Sequence, residues 1–375
     1  MDVKMLKNQS SDKKKKLIRT RRESNRLKII TTVTILAVVF VIYFLIDSGS
    51  YVATVDGNRI SKTEYQFFLS RQQSATEQQE GIYGKSDAEK EAFWLKTADG
   101  QNPWETVKSR ALDSAKDYMI QIIKAQEIGL KVDSKIKSEV AGLMNSTKSS
   151  LGLQNEKQFV NYVKKVFKIT PGQLSKISEN LMLIDEFKEA YLDKEYKPAQ
   201  LTDEDVQAFY DQDTKSFDSV DIRYIHLSKL DDNGAKLSED QVQAKKEKAE
   251  EALNKIRQGA DLDQVITGYT EEKVDPESTK PVGSETVTYF TGSELMDWIF
   301  ENKPGAAGMV ETDQEIFVVK ILSRTSFEDV KPTVRTTMEN EAKESFYNEA
   351  LGKWNMEAKY NIIKNDRIYD SISYK

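Results

Sequence analysis

The chain has 375 residues, a net charge of −6 from 55 lysines and arginines against 61 aspartates and glutamates, one histidine and no cysteine. The lack of thiols excludes disulfides, thiol catalysis, lipid attachment through cysteine and zinc sites built on thiolates, and with a single histidine metal ligation is a poor fit. An acidic chain is also a poor match for nucleic acid, whose binders present clustered positive charge.

The N-terminus departs from this balance. Eleven basic residues, among them the run Lys13 to Lys16, stand against Asp2, Asp12 and Glu23 before Ile29, a local charge of +8 that leaves −14 for everything beyond it. Ile29 to Ile46 then carries no charge, and about 18 such residues suffice to cross a hydrocarbon core as a helix. By the positive-inside rule the basic tail stays cytoplasmic and the body lies outside the cell membrane, held by a single uncleaved span. A cleaved signal peptide is the rival reading, with Ser48 and Ser50 at a suitable spacing, although the apolar run exceeds the roughly 7–15 residues of such peptides. The lysine run acts as a topology signal and also suits anionic lipid headgroups.

Beyond the span, Tyr51 to Val55 reads as a strand, Asp56-Gly57-Asn58 as a tight turn and Arg59-Ile60 as its return. Ser61 and Glu64 form a capping box for a helix through Tyr65, Phe68 and Leu69. Residues 81–100 are polar and glycine-punctuated, the pattern of a mobile insertion. Pro103 opens a long helix with Val107, Ala111, Leu112, Ala115, Met119, Ile122, Ile123 and Ile128 on one face, closed by Gly129. Further helical stripes follow as far as Tyr191, and Thr202 caps another helix through Val206, Phe209 and Tyr210.

Ile222 to Leu230 reads as a strand, Ser238 to Gln258 as a charged helix closed by Gly259, and Leu262 to Ile266 as a short helix. A polar loop over 271–282 leads to a short strand at Val287, Tyr289 and Phe290, a helix from Glu294 to Phe300, and strands at Met309-Val310 and Ile316 to Leu322. A last long helix runs from Phe327 to Ala358. The fold class is therefore α+β: a transmembrane helix, a mostly helical region made by the two ends of the chain, and one compact α+β module inserted between them.

The stretch from Val52 to Glu64 (VATVDGNRISKTE) resembles the opening of the SurA/PrsA class of extracytoplasmic foldases. The inserted module resembles a parvulin-type, FKBP-like prolyl isomerase domain through IRYIHLS around His226, AEEALNKIRQGADLDQVI from Ala249, YFTGSEL from Tyr289, and KPGAAGMVET leading into IFVVKIL. This resemblance implies a basic tail at 1–28, the span at 29–46, a chaperone region at 47–218, an isomerase domain at 219–324, and a C-terminal segment, 325–375, returning to the chaperone region. It implies a peptidyl-prolyl isomerase assisting proteins that fold after translocation, without a cofactor. Unfolded clients and X–Pro peptides are its partners, lipid is met through 29–46, and nucleic acid is not among them.

Residue by residue, the resemblance puts His226 at the family's first histidine, Thr312 at its hydroxyl position and Glu272 near its Cys or Asp position, with Asp275 as the other carboxylate. Phe317 falls where the second histidine belongs, and Leu295 where a phenylalanine floors the proline pocket. Thr291 falls at a usual methionine, and Met309 joins Leu295 and Phe317 in the substrate pocket. Each has a plain structural alternative: a satisfied strand histidine, a turn hydroxyl, a solvated loop charge, core. The second functional class is accordingly a binding module of the same ancestry that holds unfolded clients without isomerising them.

Overall fold

The computed structural model describes residues 50–96, 102–272 and 280–374. The basic tail at 1–28, the span at 29–46 and Asp275 lie outside the described residues. Among those described, no helix is long and apolar enough to cross a membrane. The chain divides into two compact units, one of residues up to Tyr196 together with Phe346–Lys375, the other of Lys197–Ser345.

The first unit begins with strand β1 (Tyr51–Val55) and strand β2 (Asn58–Ser61). Asp56 and Gly57 between them both have positive φ, 47° and 74°, the pairing that a two-residue primed turn demands and that Asp-Gly supplies. Ser61 then starts helix α1 (Lys62–Gln79): its N–H donates to Glu64 Oε2 at 2.8 Å, and the Glu64 N–H donates to Ser61 Oγ at 3.2 Å. A third strand pairs antiparallel with the free edge of β1, Ile362–Lys364 near the far end of the chain.

The polar stretch 81–100 is not simply an insertion. It contains helix α2 (Asp87–Trp94), started by a capping box between Ser86 and Glu89. Trp94 at its end is fully buried, packs edge-on against Trp104 with centroids 5.9 Å apart, and donates from its indole to Glu77 Oε1 at 3.1 Å. The polar residues of α2 form its outward face, and Trp94 anchors the helix.

Helix α3 (Pro103–Glu127) buries the expected stripe from Val107 to Ile123. Ile128 is the exception, 55 % exposed, because the helix stops before it and Gly129, at φ 84°, turns the chain. Helices α4 (Ser134–Ser150), α5 (Glu156–Phe167) and α6 (Pro171–Glu195) complete this helical part. Ile136, Val140, Leu183 and Phe187 from them enclose Tyr347 and Trp354 of the late helix, while Tyr369 and Ile372 from the chain's end join the core around Trp104.

The second unit opens with helix α7 (Asp203–Tyr210), capped by Thr202. Strand β3 (Ser219–Ser228), helix α8 (Glu239–Arg257), helix α9 (Leu262–Tyr269), strand β4 (Ser284–Thr288), helix α10 (Glu294–Glu301), strand β5 (Ala307–Glu311) and strand β6 (Glu315–Arg324) follow. The strand expected around 287–290 lies slightly earlier, so Tyr289 and Phe290 fall beyond its end. Helix α11 (Phe327–Asn355) contributes Val334 to a cluster with Val206 and Tyr210.

The four strands form one antiparallel sheet in the order β4-β3-β6-β5. Side chains alternate across a strand, and β3 and β6 use both parities. Ile225, Leu227, Ile316 and Val318 pack beneath α8 and α9 with Ala252, Ile256 and Ile266. Val220, Ile222, Val319 and Ile321 point the other way, onto Met296, Ile299 and Phe300 of α10. Helix α10 is short, and the end of this face nearest His226 remains open.

Candidate prolyl-peptide site

The open end of that sheet face is a hollow of about 480 Å³, within the size range of small-ligand sites. Its floor follows from strand parity. Tyr224 and His226 are two residues apart on β3 and share a face, and the register sets His226 directly across from Phe317 on β6. Their rings stack, with centroids 5.1 Å apart and planes 23° from parallel, and Tyr224 meets Phe317 edge-on at 6.3 Å. From α10, which Ser293 caps, come Leu295 and Met296; Phe290, 58 % exposed, stands at the rim.

The imidazole is partly enclosed, with 24 % of its side chain accessible. Its Nε2 lies 3.2 Å from Glu315 Oε1, within ion-pair distance, yet the directions do not make a hydrogen bond, and this buried nitrogen has no other partner. Glu315 shares the face of Phe317 by the same two-residue spacing.

A short segment beside β3 sets the second polar group. The Thr270 hydroxyl accepts from the His226 N–H and the Glu272 N–H, both at 3.2 Å, and the Glu271 N–H donates to the His226 carbonyl at 2.9 Å. This lashing brings the Glu272 carboxylate to the Tyr224 hydroxyl, which donates to it at 2.7 Å. Burial pushes the Tyr224 phenol far above its ordinary value, and the bond to Glu272 adds to the rise, since a phenolate would face a carboxylate. Tyr224 therefore remains a neutral hydroxyl donor. Burial works to raise Glu271 as well, but Lys245 at 2.8 Å and the Ser228 N–H at 2.9 Å outweigh it and hold that carboxyl below the ordinary range.

Two glycines permit the close approaches around the hollow. At Gly283 (φ 63°) a Cβ would lie 2.1 Å from the Tyr224 carbonyl oxygen, so no other residue fits where the chain joins β3. At Gly308 a Cβ would lie 2.3 Å from the Trp298 ring, so its absence lets α10 rest directly on β5.

Of the residues singled out by sequence, His226, Glu272, Leu295 and Phe317 line this one hollow. Thr312 and Met309 do not. The Thr312 hydroxyl accepts from the Glu315 N–H at 3.1 Å and the Gln314 N–H at 3.3 Å, closing the turn between β5 and β6. Met309 pairs with Val318 and packs with the cluster beneath α8 and α9, on the opposite face of the sheet. The residue of β5 with the right parity is its neighbour Val310, paired with Phe317. Sequence reasoning missed Tyr224 and Glu315, although each lies two positions from a residue it had placed. Among the described residues, no group of three or more His, Asp or Glu side chains is arranged to hold a metal ion.

Residues 201–332 match the PPIC-type PPIASE domain family. No curated protein matches the chain. Among solved structures, foldase protein PrsA from Streptococcus pneumoniae str. Canada MDR_19A is 17 % identical, covering 74 % of this chain and 97 % of its own, with a TM-score of 0.33. PrsA from Bacillus subtilis is 18 % identical over 74 % of this chain and 96 % of its own, TM-score 0.25. A structure described under PEB4 and Cj1289, two structurally related SurA-like chaperones of Campylobacter jejuni, is 12 % identical over 84 % of this chain and 99 % of its own, TM-score 0.35. The chain thus carries a PPIC-type PPIase domain, the parvulin kind, over residues 201–332.

Proposed function

We propose that the chain is a membrane-anchored extracytoplasmic foldase whose domain isomerises X–Pro bonds in polypeptides folding after translocation. The observation that carries this reading is the convergence of a stacked His226–Phe317 pair and a hydrogen-bonded Tyr224–Glu272 pair on one open, partly apolar hollow. Rotation of a peptide bond crosses a barrier of about 18–20 kcal/mol. Lowering it needs no covalent step and no cofactor, only a site that fits the twisted amide better than either planar form. Twisting uncouples the nitrogen lone pair from the carbonyl and makes the amide less polar, so an apolar floor of Leu295, Met296 and Phe317 under the prolyl ring favours the transition state. His226 and the Tyr224–Glu272 pair orient the flanking backbone. Thr312 acts only by fixing the hairpin that carries Phe317 and Glu315.

In this reading residues 29–46 anchor the chain, the basic tail stays in the cytoplasm, the mostly helical region made by the two ends of the chain holds unfolded clients, and the inserted domain isomerises their X–Pro bonds. Isomerisation of a proline peptide by the full-length protein in mild detergent, followed in a protease-coupled assay, tests it: a rate above background that falls with His226→Ala supports the assignment. Activity that survives that change undiminished removes His226 from its role. A second reading has its own support, because Phe317 stacks on His226 where the resemblance calls for a second imidazole. Suppressed client aggregation with no isomerisation selects that client-holding function. Finding a mature chain that starts near Tyr51 in the soluble fraction overturns the anchor.

A further inference from the structure

The hollow is ringed by carboxylates of one sign. Glu272 lies beside Tyr224, Glu285 projects from β4 on the strand next to β3, and Glu315 stands beside His226. None of the residues lining the hollow is a lysine or arginine, and none of these three glutamates makes an ion pair with a described lysine or arginine. Several acidic groups elsewhere in the same domain do meet a cation: Glu311 meets Lys229 and Lys246, Glu271 meets Lys245, and Asp203 meets Lys331 and Arg335. Three carboxylates around an apolar floor, without a lysine or arginine partner among the described residues, form a complementary frame for a cation carried beside a small apolar ring.

We propose that the site selects proline segments flanked by lysine or arginine. The inference rests on reading the hollow as the prolyl-peptide site and adds the class of substrate to it. The prolyl ring occupies the floor over Leu295 and Phe317, and the neighbouring basic side chain extends to the rim carboxylates. A glutamate in the same place meets like charge, which weakens the wrong partner as much as the right one is favoured. Each solvent-screened carboxylate contributes about a twofold to threefold preference, so three together give about tenfold between Lys-Pro and Glu-Pro peptides.

The test uses the full-length protein in nonionic detergent and three peptides that differ only in lysine, alanine or glutamate before the proline. Isomerisation is read by NMR exchange spectroscopy and affinity by fluorescence anisotropy. The expected order is lysine, then alanine, then glutamate, with the about tenfold spread collapsing at 1 M salt, where the screening length is about 3 Å. The ratio also collapses in a Glu272→Gln, Glu285→Gln, Glu315→Gln variant and persists in Glu251→Gln, a carboxylate on α8 outside the hollow. Equal isomerisation and equal binding of all three peptides overturn the charge preference and leave the isomerase reading standing. Absence of isomerisation with the same order in affinity does the reverse. A spread that survives the triple change, or that Glu251→Gln abolishes equally, assigns the effect to the overall acidity of the chain and overturns the proposal.

Discussion

The two faces of the four-stranded sheet are built by the same strands from alternate residues, yet they do different work. Beneath α8 and α9, Ile225, Leu227, Ile316 and Val318 are at most 1 % exposed and carry no polar group. One position along, Tyr224, His226, Glu315 and Phe317 stay half-buried because α10 covers only part of their face. A strand residue here belongs to core or to site according to parity and to where the covering helix stops, and its chemical type follows. The difference should appear as a division of labour: changes on the covered face cost stability, and changes on the open face cost recognition.

The largest effect should come from the covered face. Ile225→Ala removes a fully buried side chain and is expected to cost about 3 kcal/mol, read as a lower midpoint in urea denaturation monitored on the second unit. A cost below about 1 kcal/mol, the range of surface changes, would break the comparison. Next is the margin of the open face. Gly308→Ala sets a Cβ against the rigid Trp298 ring and is expected to cost about 2 kcal/mol by overpacking. Since α10 also carries Leu295 and Met296, the same change should weaken proline-peptide binding, measured by anisotropy; unchanged stability and binding would show that α10 yields freely.

A smaller stability effect with a clearer functional one is expected at Phe317→Leu. The volume is nearly kept and the site is half-open, so the loss should be under about 1.5 kcal/mol. The aromatic stack on His226 disappears, and peptide affinity should fall by about fivefold, the worth of one aromatic contact. A stability loss as large as that of Ile225→Ala would make Phe317 a core residue and dissolve the distinction between the faces.

Period-two alternation and turn chemistry were the parts legible in sequence. The strand around His226 and the helices capped by Ser61, Thr202 and Ser238 follow from local spacing, whereas Phe317, which pairs with His226, was placed by the family resemblance. Met309 was misplaced by one residue, which on a strand means the opposite face. Tyr224 and Glu315 were overlooked although the same alternation marks them. Helix α2 was hidden because its signal is one capping box and one aromatic pair within a polar stretch. The strand at Ile362–Lys364 left no local trace: its partner β1 lies about three hundred residues earlier, and such pairing is decided by the folded core.

The smallest expected effect probes how the open face is held without packing. Glu271 sits in the segment that lashes His226 and Glu272 in place, accepting from the Ser228 N–H and pairing with Lys245. Its carboxyl is held below the ordinary range when folded, so it contributes stability that is fully present above the unfolded value. That contribution is lost as pH falls from about 4.3, the ordinary glutamate value, through the lower folded one. Both partners are partly solvent-exposed, so Glu271→Gln should cost about 0.5 kcal/mol at neutral pH, the scale of a screened ion pair. The gap between the two proteins in urea midpoints should close on acidification below that value. A gap that instead widens in acid would mean that Glu271 is strained by burial more than it is held by Lys245, and that the segment beside His226 is positioned by the Thr270 hydroxyl and the Glu271 backbone N–H rather than by the carboxylate.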